Sequence, residues 1–107
     1  MKNDIIVGKL IAYADKIIDY CDGYDYESFS SDPMLVDACV FNLSQMGELA
    51  NRIDSDFAAA HPDIPWRHIY GLRNRIVHDY EGVNLQLIWE IISDDLAPLK
   101  ETLSRIK

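Results

Sequence analysis

Asp32-Pro33-Met34-Leu35-Val36-Asp37-Ala38-Cys39-Val40-Phe41-Asn42-Leu43-Ser44-Gln45-Met46-Gly47-Glu48-Leu49-Ala50 reads as one amphipathic helix. Asp32 can cap its first N–H groups, and Pro33, which has no N–H to leave unpaired, suits the first turn. Val36, Cys39, Val40, Leu43, Met46, Ala50 and Ile53 fall on one stripe of helical period, not on the alternate positions of a strand. This pattern predicts a helix that reaches the low fifties and frays on towards Ala60.

The same pattern extends in both directions. Before it, Ile6, Leu10, Tyr13, Ile17 and Tyr20 predict a helix from about Lys2 to Tyr20, ended by Asp22-Gly23. The connection from Tyr24 to Ser31 is rich in tyrosine and acid, and Tyr20, Tyr24 and Tyr26 suggest an aromatic loop covering the end of the fold. After it, His61-Pro62-Asp63-Ile64-Pro65 breaks the chain, since two prolines within four residues do not fit a helix interior. Pro65 opens a third helix from Trp66 to His78 or Tyr80. Asn84 caps a fourth, with Leu85, Ile88, Trp89, Ile92, Leu96, Leu99, Leu103 and Ile106 on its apolar face. Pro98 should kink or locally open it. The predicted fold is all-α: an antiparallel up-and-down four-helix bundle in a single domain over 1–107, with room for a short extra helix in a connection.

About half the residues are apolar (49%) and 26% are charged, a globular balance. The N-terminus lacks a secretory pattern and no apolar run is long enough to span a bilayer, which predicts a cytoplasmic protein without a membrane partner. Cys21 and Cys39 fall on apolar faces of different helices and are expected to be buried free thiols. Asp54-Ser55-Asp56 and Asp94-Asp95 lie on different segments and read as solvated surface. His61, His68 and His78 lack metal-ligand spacing, so neither a metal site nor a cofactor is expected.

The net charge of −8 argues against generic nucleic-acid binding. Yet residues 64 to 78 hold Arg67, Arg73 and Arg75 and no carboxylate, so they carry +3 and the rest of the chain −11. Within that basic island, Arg73-Asn74-Arg75-Ile76-Val77-His78-Asp79-Tyr80 sets an arginine, a histidine and a tyrosine at the spacing R-x4-H-x-Y.

These residue types suit metal-free RNA cleavage, in which the 2′-hydroxyl attacks the neighbouring phosphate. The reaction needs a base, an acid and positive charge on the crowded phosphate. His78 fits the proton-transfer role and Arg73, with its planar fork of donors, fits the phosphate. Asn74 lies one helical turn from His78 and can position it or the RNA. Arg67 and Arg75 are candidate RNA-binding residues. One such histidine per chain leaves a proton-transfer role unfilled, which a homodimer with facing motifs would supply. The spacing alone also fits a structural account: His78 at a helix end, Arg73 paired with Asp79 or Glu81, and Tyr80 in the core.

The segment from Pro62 to Tyr80, with Gly47-Glu48-Leu49-Ala50 and Leu87-Ile88-Trp89-Glu90-Ile91-Ile92, resembles the HepT-like proteins, the HEPN-domain toxins of toxin–antitoxin pairs. The resemblance spans about residues 5 to 106. It implies a HEPN fold, a homodimer with a composite cleft, and metal-independent ribonuclease activity using Arg73 and His78, with Asn74 as the polar residue after the arginine. It implies that Tyr80 is the residue on which a minimal nucleotidyltransferase antitoxin places AMP. AMP there would set bulk and negative charge beside the basic island. The alternative is a non-catalytic subunit that binds nucleotide or substrate for a nucleotidyltransferase. Glu48 is a candidate partner for Arg73 or Arg75.

Overall fold

The computed structural model describes residues 2–79 and 84–106, with backbone only at Arg73, Val77, His78 and Asp79. These residues form α1 (Asn3–Tyr20), α2 (Tyr26–Ser30), α3 (Pro33–Ala50), α4 (Ser55–Ala60), α5 (Trp66–Asp79), α6 (Leu85–Glu90), a π-helical turn (Ile91–Asp95) and α7 (Leu96–Ile106), with no strand among them. Four long helical segments therefore make the bundle, the last being α6, the π turn and α7 in continuous succession. The all-α expectation holds, with two short helices in the connections where one was allowed for.

Side-chain bonds fix the antiparallel order. Asn3, at the start of α1, donates through Nδ2 to Asp54 Oδ2 just beyond the end of α3 (3.2 Å), and its Oδ1 accepts from the Asp54 backbone N–H. At the other end, Cys21 Sγ lies 3.6 Å from Cys39 Sγ on α3. On the opposite flank of α1, Lys100 on α7 pairs with Asp15. α3 packs in turn on α5.

Between these helices, Ile6, Leu10, Ala14, Ile17, Phe29, Cys39, Leu43, Met46 and Leu103 are fully enclosed. Asn42 is the one buried polar side chain among the described residues, and its Nδ2 is satisfied by Ala38 O at 2.7 Å. The buried thiols are free, as expected. Burial pushes both above the usual thiol range, Cys39 further than Cys21.

Three local expectations are corrected. First, α3 ends at Ala50 instead of fraying to Ala60. Asp54 adopts an extended backbone (ψ 142°) held by Asn3, and a separate short helix starts at Ser55. Second, the loop tyrosines do not cover the bundle end: Tyr20, Tyr24 and Tyr26 are exposed. The cover is Phe29, placed by α2 through a reciprocal cap in which Asp25 accepts from the Ser28 N–H and Ser28 Oγ accepts from the Asp25 N–H. Its ring packs on Trp89 at 5.0 Å. Third, Pro98 sits inside α7, and the disturbance it was expected to cause appears a turn earlier. With no N–H at Pro98, the Asp94 carbonyl lacks its α-helical partner. The chain widens into the π turn, where the Leu96 N–H bonds Ile91 O, five residues back. The widening lets Ile91 and Ile92 both point inward, and Ile91 joins a core that a strict stripe leaves it out of.

Candidate nucleic-acid interface

Helix α5 carries the basic island. Its entry is anchored by the break before it. Trp66 Nε1 donates to His61 O (3.1 Å), Phe57 packs against both His61 and Trp66, and Ile64 is buried. Ile69, Leu72 and Ile76 turn into the core. That fixes the rotation of α5 and therefore where each other residue stands.

At ~100° per residue, Arg67, Gly71 and Asn74 share the stripe facing away from the core, and the His78 position is in register with it. Arg75 and His68 lie beside that stripe on the flank nearer the π turn. Arg73 falls on the other flank, next to Tyr70 in register. On one helix, Arg73 and His78 are thus about 140° apart around the axis. Tyr80 lies outside the described residues.

Two clefts flank the stripe. On one side, Pro62, Ile64, Pro65, Trp66, Arg67, His68, Gly71 and Arg75 line an open depression of about 600 Å³. Its polar lining is entirely cationic or neutral. Arg75 Nη1 reaches His68 Nε2 at 3.4 Å. The structure thus brings Arg67 and Arg75, the candidate RNA-binding residues, to one cleft and adds His68. Sequence reasoning set His68 aside for want of metal spacing. The signal that could have found it is its seven-residue step to Arg75, which puts the two on one helix flank.

On the other side, Gly47, Glu48 and Asn51 of α3 face Tyr70 and Asn74 across a narrow cleft of about 40 Å³. Asn74 therefore lines this cleft and not that of Arg67 and Arg75. Glu48 is half-buried and lines the cleft of Asn74, not that of Arg75. Among the described residues, no three of His, Cys, Asp and Glu gather as a metal-ion group. No helix there is long and apolar enough to cross a membrane.

Proteins of Caldanaerobacter subterraneus subsp. tengcongensis and Methanocaldococcus jannaschii, each named as a putative RNase, are 32% and 30% identical to this chain. The alignments cover 88% and 86% of this chain and 90% and 84% of those proteins. A protein of Thermococcus cleftensis named probable ribonuclease HepT is 30% identical over 77% of this chain and 74% of its own length. No solved structure matches at comparable significance. Residues 10–106 match the ribonuclease HepT-like family, and the chain belongs to it.

Proposed function

We propose that this protein is a metal-independent endoribonuclease that acts as the toxin of a toxin–antitoxin pair. The observation that carries the reading is the basic face of α5, built from Arg67 and Arg75 with His68 beside them, on the same helix as Arg73, Asn74 and His78 in a chain of the HepT-like ribonucleases. Arg73 binds the scissile phosphate and stabilises the charge it gathers as the RNA 2′-oxygen attacks. His78 moves a proton on or off the reacting oxygens. Asn74, one turn away, positions His78 or the RNA.

The register of α5 favours a homodimer. Arg73 and His78 diverge by about 140° around their own helix, so two α5 helices set face to face offer one phosphate an arginine from one protomer and a histidine from the other. Such a cleft would also double the cationic surface and offset the acidic remainder of the chain.

Control is assigned to the residue that follows Asp79 in the sequence. Tyr80 is the proposed acceptor of AMP from a minimal nucleotidyltransferase antitoxin. Its phosphate and adenosine would occupy the cleft and repel RNA. The test is cleavage of single-stranded RNA by the purified protein in excess EDTA. Activity is expected there. RNA left intact with EDTA and cut on adding a divalent metal contradicts metal independence, and RNA left intact in both leaves a nucleotide- or substrate-binding subunit.

A further inference from the structure

The basic cleft of α5 is continuous with a second, apolar groove. Pro65 and His68 line both. The groove has a volume of about 430 Å³ and runs between α5 and the π turn with the start of α7, walled by Ile69, Leu72, Leu96 and Leu99. Thr102 also lines it, as do the exposed Asp94 and Asp95. Both carboxylates stand at the end of the π turn.

We propose that this groove takes one unpaired base of a bound single-stranded RNA, with the adjoining phosphate on Arg75 and Arg67. The proposal rests on the RNA-cleaving reading above and names the form of RNA that fits. Charge orders the two halves. A phosphate is attracted to the side of Arg67 and Arg75 and repelled from the side of Asp94 and Asp95. A base has flat apolar faces that suit the aliphatic walls, and its edge carries N–H groups that the two carboxylates can accept. Adenine, cytosine and guanine each present an exocyclic amino group to such acceptors, and uracil does not. A duplex keeps its bases stacked and paired, so it can use the cationic cleft but not the groove. Along α5, His68 lies ~15 Å from His78, ten residues at 1.5 Å each. The groove therefore holds a base beyond the scissile bond, where it sets register without touching the reacting atoms.

The test uses the full-length protein and a short 2′-O-methyl oligomer rich in adenine and cytosine, free or paired to its complement. The methyl group blocks attack by the 2′-oxygen, so fluorescence anisotropy reads binding alone. The wild type should bind the free strand more tightly than the duplex by about tenfold or more, the worth of one hydrogen bond to a charged group. Thr102→Trp fills the groove and should remove that difference while leaving duplex binding in place. Thr102→Phe should remove part of it, and circular dichroism checks that both variants fold. Arg75→Ala should weaken both forms. Equal wild-type affinity for strand and duplex overturns the proposal, as does strand binding unchanged in Thr102→Trp. If Thr102→Trp alters only the oligomeric state, the groove is an interface between copies and the proposal fails. If the wild type prefers the free strand as stated but leaves unmodified RNA intact, the ribonuclease reading falls and the groove assignment stands.

Discussion

Arg75 Nη1 and His68 Nε2 stand 3.4 Å apart on one flank of α5. A guanidinium has donors only, so any hydrogen bond between the two has the imidazole nitrogen as acceptor. The contact holds the guanidinium over the basic cleft while leaving its remaining N–H groups for an anion. If those groups meet RNA phosphate, Arg75→Ala should weaken RNA binding regardless of base sequence. The slope of log affinity against log salt should shrink by ~0.7, the value for one contact to a single strand. A salt titration of wild type and variant measures this. An unchanged slope would mean that Arg75 touches no phosphate.

Phe29 tests the cap over the bundle end. It is fully buried, is delivered by the short helix α2 and packs on Trp89. Phe29→Ala should cost about 3–5 kcal/mol, the range for emptying an aromatic core site. Denaturant unfolding would show it as a lower midpoint. Tyr24→Ala, at an exposed ring in the same connection, should change stability far less. Equal losses would mean that the tyrosines, not Phe29, close the core.

The cysteine pair gives a pH dependence. Burial raises the Cys39 thiol above its ordinary value of 9.0, and Cys21 also rises. The folded protein therefore favours the protonated thiols. Their contribution to stability is full below pH 9.0 and declines as pH rises beyond it, because the unfolded chain ionises first. Cys39→Ser should flatten that decline in urea unfolding series, and wild-type thiols should resist alkylation until the protein unfolds. Fast alkylation of the native protein near neutral pH would contradict the burial.

Tyr80 is the proposed switch. After co-expression with a minimal nucleotidyltransferase, intact-mass measurement should show AMP added to the wild type, with loss of RNA cleavage. Tyr80→Phe should stay unmodified and stay active in the partner's presence. Equal modification of Tyr80→Phe would move the acceptor elsewhere.

Much of this fold is written in local pattern. The stripe from Val36 to Ala50 and the Asp32-Pro33 entry appear in the structure as read, with Asp32 Oδ1 accepting from the Leu35 N–H at 3.1 Å. What pattern could not supply came from distant partners. Asp54, just past the end of α3, is held by Asn3, 51 residues away, and the burial of Ile91 comes with a π turn that answers Pro98. The cationic cleft was half legible. Arg67 and Arg75 announce it by charge. His68 joins them only once burial of Ile69, Leu72 and Ile76 fixes the rotation of α5. The same rotation separates Asn74 from that cleft and sets it opposite Glu48, a division that the sequence spacing does not convey.

The central claim is that Arg73 and His78 cut RNA together across two protomers. The decisive measurement is the rate of RNA cleavage in excess EDTA by Arg73→Ala, by His78→Ala, and by mixed dimers purified after the two variants are co-expressed. Each single variant should lose about 10²-fold or more in rate with its helical circular dichroism intact. The mixed dimer should recover about half of the wild-type rate, because one of its two sites regains both residues and the other has neither. Single variants that cut RNA at the wild-type rate contradict the account, and a mixed dimer as inactive as its parents contradicts the shared site.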